Sequence, residues 1–314
     1  MFDNKLISIG GEALRKAALN QQAKNYILEN EILYGVFKKA ANRYIGGETL
    51  DETIAKVINE CNNGFKCSIE FMDENTKTAV EAIEAKNEFL KICHVIAKLQ
   101  LNSTISLDLS HIGLEIDKNL CRQNLDELCS LAKSNQIEVI ISAEGIDATD
   151  NVINLYLEAV KQYENLSITL QAYLHRSKDD FKELLKAGGR IRVVKGAFDV
   201  PTELALSRGK ALDEVYLNYV DQLLSLKHRC SIATHHDEIQ QSAKQLIKQH
   251  STSKDLYEFE SLYGICNDQL EKLKEEGYPT KIYFVYGKEW YLYLCNRIAE
   301  YPMNIFMALN DIVK

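Results

Sequence analysis

The spacing of apolar residues changes near Gly64. Before that point apolar residues recur at helical spacing, and the pattern predicts helices over residues 12–30 and 31–45. A third helix is predicted from Thr49, where Thr49 and Glu52 form a capping box, to the Asn-Asn-Gly sequence that ends at Gly64. Residues 1–63 are therefore predicted to form a helical segment that packs on the rest of the chain.

After Gly64 the chain alternates between short apolar runs and amphipathic stretches of helical period. Several runs contain consecutive apolar residues, which is typical of parallel strands covered on both faces. The eight runs cover residues 66–71, 104–109, 137–142, 166–171, 191–195, 230–234, 256–259 and 281–285.

Eight strand–helix units over residues 64–314 predict a (β/α)8 barrel of the TIM type with additional N-terminal helices. The alternative is an open, doubly wound α/β sheet. Such a sheet commonly carries a GxGxxG fingerprint, and the chain has none. The predicted organisation is thus a helical segment, 1–63, and a catalytic barrel, 64–314.

Composition narrows the possible partners and compartments. The chain has 37 Lys and Arg against 45 Asp and Glu, a net charge of −8, which disfavours nucleic acid as a partner. No window of about 18 apolar residues is present, and no signal peptide is recognisable, so we expect a cytoplasmic protein with at most peripheral membrane contact.

The eight cysteines show no zinc-site spacing. His235 and His236 point to opposite faces of a strand, so no metal site is predicted.

In a barrel of this type the chemistry lies at the C-terminal ends of the strands. The fifth predicted strand carries Arg192 and Lys195, and a cation inside a packed barrel is costly unless an anion neutralises it. A phosphate or an electron-rich ring system would do so, and Gly196 would let a ligand approach the backbone. The alternative is an internal salt bridge to Glu144 or Glu258.

Near the C-terminus one predicted helix carries a polar face. Tyr293, Arg297 and Glu300 lie on the same side by their spacing, and Asn296 adjoins them. A donor, a charge and an aromatic ring together are suited to hold an amino acid or the edge of a cofactor.

Five segments resemble the proline dehydrogenase family, in its stand-alone bacterial form. They are LQAYL, RVVKGAF, ATHHDEI, EFESLYGI and YGKEWYLYLCNRIAE, and the resemblance extends over roughly residues 30–305. It implies a (β/α)8 barrel with extra N-terminal helices that binds FAD without a Rossmann domain. It also implies oxidation of proline to pyrroline-5-carboxylate by hydride transfer to the flavin, with a quinone or another acceptor taking the electrons.

The resemblance also implies roles for individual residues. Leu262, Tyr283 and Tyr293 match side chains that line the proline ring. The positions implied to contact FAD are Gln171, Arg192, Val194, Lys195, Gly196, Ala197, Thr234, His235, His236 and Glu300. Cations at the phosphates and donors near the ring are what a flavin requires.

The substrate side departs from the family pattern. The family's Arg-Arg pair is Asn296-Arg297 here, its strand-two lysine is Asp108, and its strand-three aspartate is Ser142. These four family residues sum to two positive charges, whereas the four residues here sum to zero. A gate glutamate of the family aligns with Glu74. Three further positions also differ: Phe198 replaces a tyrosine, His236 an asparagine and Glu260 a glutamine.

Three functions remain open at this point. The first is an FAD-dependent dehydrogenase that oxidises a C–N bond in a substrate related to proline but distinct from it. The second is an ordinary L-proline dehydrogenase, and the third a catalytically silent flavin-binding relative. The substrate would be a small amine or amino acid. The predicted substrate-side residues are Asp108, Ser142, Leu262, Tyr283, Tyr293, Asn296 and Arg297, and we expect Arg297 to orient the substrate.

Overall fold

The structure, a computed structural model, describes residues 4–72, 76–198, 200–300 and 303–313. Eight parallel strands pair with their neighbours in chain order, and the last pairs with the first, so the sheet is a closed barrel. This confirms the predicted barrel and excludes the open sheet. The strands are β1 (Lys66–Phe71), β2 (Ser103–Leu107), β3 (Val139–Ile141), β4 (Leu166–Gln171), β5 (Ile191–Val194), β6 (Cys230–Ala233), β7 (Tyr257–Leu262) and β8 (Thr280–Tyr286).

Thirteen α-helices and one short 3-10 helix (Ile146–Ala148) are present in the described ranges, and none of them is long and apolar enough to cross a membrane. Those before the barrel are α1 (Asn4–Ala18), α2 (Gln21–Glu29), α3 (Glu31–Ala41) and α4 (Leu50–Asn62). Those that follow are α5 (Ala79–Leu99), α6 (Lys118–Ser134), α7 (Thr149–Ala159), α8 (Ser177–Leu184), α9 (Lys210–Ser225), α10 (Asp237–Gln249), α11 (Asn267–Glu275), α12 (Trp290–Glu300) and α13 (Asn304–Val313).

The observed N-terminal helices differ from one predicted boundary and agree with another. The prediction of a single helix over residues 12–30 is wrong, because two helices, α1 and α2, share this region. The Asn20 side chain accepts a hydrogen bond from the Ala23 amide at 3.0 Å and caps the start of α2. Asparagine favours such N-cap positions over helix interiors. The capping box of Thr49 and Glu52 is present as predicted at the start of α4.

The apolar side chains form two cores. One lies between the strands and the helices around the barrel. The other joins α1, α3 and α13 to α12 and is centred on Trp290, whose indole N–H donates to Glu48 at 2.6 Å. The N-terminal helices therefore pack on α12, the helix that carries the predicted Tyr293 and Arg297. The domain boundary at residue 63 stays a prediction.

The inside of the barrel is charged, whereas branched apolar residues commonly fill such barrels. Lys281 is fully buried, and its ammonium lies 2.6 Å from Glu258 and 3.1 Å from Glu260. Lower in the barrel, Arg190 lies 3.1 Å from Glu138. Burial raises the pKa of Glu138, but Arg190 and another nearby cation outweigh burial and lower it to about 2. Glu138 is therefore ionised at neutral pH.

One glycine is required by the packing of an N-terminal segment against β7. Gly264 has a left-handed φ of +76°, and an added Cβ would lie 1.7 Å from the Arg43 carbonyl oxygen. We expect Gly264→Ala to lower the free energy of unfolding by about 2 kcal/mol or more, measured by urea unfolding. Gly188→Ala is the control, since no heavy atom lies within 4 Å of its added Cβ. Equal stability of the two variants would contradict the prediction.

Candidate active site

A buried carboxylate on β1, Glu70, contacts the end of β3 and the middle of β8. Glu70 accepts a hydrogen bond from Ser142 Oγ at 2.8 Å and a second from the Tyr283 hydroxyl, both on Oε2. Its exposed fraction is 5%. Burial raises the pKa of Glu70, and the two hydroxyl donors and Arg192 only partly offset this effect. The structure thus brings the predicted Ser142 and Tyr283 together, around a glutamate that was not predicted.

Arg192 points into the barrel beneath this group. Its Nη2 donates to Ser106 Oγ at 2.6 Å, and its guanidinium carbon lies 5.0 Å from the ring centroid of Tyr283. Its carboxylate neighbour is Glu260, at 3.7 Å, and not the Glu144 or Glu258 considered from sequence. Buried Arg192 Nε, the atom that lies 3.7 Å from Glu260, has no hydrogen-bond partner among the described residues.

Helix α12 covers the barrel with the polar face that its spacing predicted. The Arg297 guanidinium donates to Glu300 and lies 5.0 Å from the ring centroid of Tyr293. Burial raises the pKa of Tyr293 to about 12, with Arg297 opposing the change and Glu70 adding to it. Tyr283 of β8 packs against the same apolar core as α12, which places this helix next to the strands. Asn296 is half-buried beside Arg297.

His235 follows β6 and is neutral at pH 7. Its Nε2 accepts a hydrogen bond from the Leu262 amide at 3.0 Å. Burial, assisted by Arg297, lowers the pKa of His235 to about 4. The single ring proton is therefore on Nδ1, which can donate to a ligand. Thr234 is buried beside it, and Thr234 Oγ1 accepts from the His236 amide at 3.1 Å.

Lys195 lies on the outer side of β5, as the alternation along the strand predicted. Its Nζ is 2.5 Å from Asp213 on α9 and 3.0 Å from His236 Nδ1. The two adjacent histidines therefore have separate partners. Val194 ends β5 beside Lys195, half-buried. The second unpredicted residue is Asp213, since nothing in the sequence connects the start of α9 to Lys195.

The remaining cofactor candidates lie near the ends of β4 and β5. Gln171 is buried, and its side-chain amide donates to the Glu144 carbonyl at 3.0 Å. Gly196 has φ +112°, and an added Cβ would lie 2.2 Å from the Tyr173 ring. The packing of Tyr173 against Gly196 is thus a sufficient reason for a glycine at this position, without a ligand. Ala197 is exposed next to it.

Asp108 follows β2 at the mouth of the barrel, with a quarter of its side chain exposed. His111 Nε2 lies 3.8 Å away, but burial lowers the pKa of His111 to about 4, so this histidine brings no positive charge. The predicted gate residue Glu74 lies outside the described residues. Glu70 could have been found from sequence, because the period of two along β1 places it on the same side as Lys66 and Ser68.

A closed barrel with buried charged groups at the ends of its strands defines a (β/α)8-barrel enzyme. The family model described as "Proline dehydrogenase" matches residues 53–302. "Proline dehydrogenase 2" of Bacillus subtilis is 32% identical over 275 residues, 88% of this chain and 91% of the relative. "Proline dehydrogenase 1" of the same organism is 30% identical over 90% of this chain and 93% of the relative.

A relative from Deinococcus radiodurans, "Proline dehydrogenase", is 28% identical over 87% of this chain and 90% of its own length. The fold is similar to that of the Bdellovibrio bacteriovorus proline utilization A structure, with a TM-score of 0.77 at 18% identity. That comparison covers 94% of this chain and 41% of the larger protein. The chain belongs to the proline dehydrogenase family, and it is an oxidoreductase that acts on a CH–NH group.

Proposed function

We propose that the protein binds FAD at the C-terminal ends of the strands and oxidises the C–N bond of proline or a proline-like amine. The observation that carries this proposal is the buried Arg192 guanidinium, which lies against Tyr283 and keeps one donor without a hydrogen-bond partner among the described residues. A bound flavin supplies the acceptor for the substrate hydride at N5. The protein contributes orientation, charge and exclusion of water.

The donors in the site fit a flavin. Neutral His235 offers its Nδ1 proton, Arg192 a buried cation, and Lys195 a cation near the surface. In this proposal Arg192 and His235 stabilise the reduced ring, while Lys195 neutralises phosphate charge. The other residues proposed for the cofactor are Gln171, Val194, Gly196, Ala197, Thr234, His236 and Glu300.

We further propose that the preferred substrate differs from free L-proline. The Ser142 hydroxyl donates a hydrogen bond to Glu70, and Asp108 adds a second acidic group near Tyr283. Arg297 is then the one cation of α12 placed to meet a carboxylate, since Asn296 beside it is neutral. A carboxylate that loses a charge-assisted hydrogen bond binds more weakly by about 1.5–3 kcal/mol. A substrate with an amide or a second amine in place of the carboxylate fits these charges better.

The second candidate is ordinary L-proline oxidation, which the identity of about 30% to proteins named proline dehydrogenase supports. A catalytically silent relative is disfavoured by the retained cofactor-side residues. In either active case we expect a quinone or another acceptor to take the electrons, with at most peripheral membrane contact from a cytoplasmic protein.

An anaerobic absorbance spectrum of the purified protein tests these alternatives. We expect flavin bands that bleach faster with L-prolinamide than with L-proline, because the amide removes the carboxylate and keeps the ring. Faster bleaching with L-proline would establish the ordinary dehydrogenase. Bands that bleach only with dithionite would contradict amine oxidation, and no flavin after incubation with FAD would contradict the cofactor.

A further inference from the structure

An amine substrate must lose its ammonium proton before hydride transfer, and none of the roles proposed above accepts that proton. Secondary amines are protonated near neutral pH, and hydride cannot leave readily from the carbon of an ammonium group. The site therefore needs a group that accepts the ammonium proton before or during hydride transfer. The acceptor must be ionised, close to the substrate, and basic enough to hold the proton.

Among the described residues, Glu70 is the buried carboxylate that contacts the predicted substrate residues Ser142 and Tyr283. Glu70 is buried, and its hydrogen-bond partners are two hydroxyl groups, Ser142 Oγ and Tyr283 OH, rather than a lysine or an arginine. Glu258 differs, because it lies 2.6 Å from Lys281 and accepts from Ser231. Burial raises the pKa of Glu70, whereas nearby cations hold the pKa of Glu258 well below its ordinary value.

We propose that Glu70 takes the proton of the substrate ammonium through the hydroxyl group of Tyr283. This inference rests on the proposed function, in which Tyr283 contacts the substrate. The ammonium N–H bond breaks as its proton binds the Tyr283 oxygen, and the Tyr283 proton moves to Glu70 Oε2. No electrons are gained or lost. The positive charge on nitrogen and the negative charge on Glu70 disappear together, and a neutral amine remains for hydride transfer.

Charged and titratable groups around Glu70 affect how readily it accepts this proton. Arg192 favours the ionised carboxylate, whereas Glu260 disfavours it. Burial raises the pKa of Tyr283, with Glu70 and Asp108 adding to the effect, and burial also raises that of Tyr293, where Glu70 adds to it. These groups face Glu70 from β5, β7, the end of β2, β8 and α12. Tyr283 therefore keeps its proton until Glu70 can receive it.

The dependence of kcat/KM on pH tests the relay, with the best amine substrate from the anaerobic experiment. In the native protein kcat/KM should reach a plateau above the pKa of Glu70 and below that of the amine. In Glu70→Gln only the free amine reacts, so kcat/KM should rise about tenfold per pH unit over the same range. Tyr283→Phe should show the same loss of the plateau, which keeps the test valid if Glu70→Gln fails to fold.

A matched control exists on the outer side of the barrel. Tyr286 OH donates to Glu88 at 2.9 Å, which is the same type of bond from the neighbouring part of β8. Glu88→Gln should keep the native plateau. If Glu70→Gln, Tyr283→Phe and the native protein share one pH profile, the relay is overturned while amine oxidation stands. If no amine reduces the flavin, the proposed function fails and the relay fails with it.

Infrared difference spectroscopy of the substrate-free protein gives a readout independent of turnover. A protonated-carboxyl band should titrate above the ordinary glutamate range and be absent in Glu70→Gln. Ser142→Ala removes a donor to the ionised carboxylate, so the same band should titrate at higher pH. A band that is unaffected by both substitutions would contradict the assignment to Glu70.

Discussion

Replacement of Lys281 by methionine is expected to lower the free energy of unfolding by about 3–5 kcal/mol. The Lys281 ammonium is fully buried between Glu258 and Glu260, at 2.6 Å and 3.1 Å. Methionine fills a similar volume but leaves two buried carboxylates that have lost their shared cation. Urea unfolding at neutral pH measures the change.

The free energy of unfolding at acidic pH gives a second test of the same substitution. Burial alone would raise the pKa of Glu258, but three cations, Lys281 foremost, hold it well below the ordinary value. Such a depressed pKa stabilises the fold above the ordinary glutamate pKa, and this stability is lost as pH falls through the folded-state pKa. Lys281→Met lacks much of this contribution, so the difference in free energy of unfolding between the variant and the native protein should become smaller in acid.

Lys186→Met is the control for loss of a lysine charge. Lys186 pairs with Glu183 at 2.7 Å, but the two side chains are 70% and 56% exposed. Exposed ion pairs contribute about 0–1 kcal/mol, so this variant should unfold almost as the native protein does. A Lys281→Met protein as stable as the control would show that the buried network does not support the barrel.

Arg297→Ala is expected to raise KM by about 10- to 150-fold, while the flavin stays bound. Arg297 is the cation of the α12 face, held by Glu300 and by the ring of Tyr293. Its removal takes away the main charge that can orient a polar group of the substrate. Steady-state kinetics and the ratio of flavin to protein absorbance give the two readouts.

The surface residue Arg176 offers a control for Arg297. It pairs with Asp180 at 2.8 Å and Asp150 at 2.6 Å, on the outer helices. Arg176→Ala should leave KM unchanged. Loss of flavin from Arg297→Ala would instead assign Arg297 to the cofactor, and an unchanged KM would remove it from the substrate site.

The barrel could be predicted because most of its strands are marked by consecutive apolar residues that are buried on their outer side. β4 runs over Leu166–Gln171, as predicted. β7 was predicted to end at residue 259, yet it extends to Leu262. The difference arises because Glu258 and Glu260 point into the barrel, where a charged side chain does not signal a strand end.

The site could be predicted only in part. The α12 face followed from helical spacing, and the opposite directions of Arg192 and Lys195 followed from strand alternation. The pairing of Lys195 with Asp213 depends on how α9 packs, which no local pattern contains. The period of two along β1 places Glu70 inside the barrel, but its contacts with Ser142 and Tyr283 join residues 72 and 213 positions apart, which no local pattern contains.

The packing of α1–α3 on α12 has a consequence for how the chain folds during synthesis. Lys24 pairs with Glu289, Trp290 bonds to Glu48, and Arg43 pairs with Asp311, across sequence separations of 265, 242 and 268 residues. These helices therefore leave the ribosome well before their partners, which are made 242 to 268 residues later. Contacts this distant in sequence form slowly. The helix that carries Tyr293 and Arg297 is made after all eight strands, so the active site is assembled after the barrel sheet.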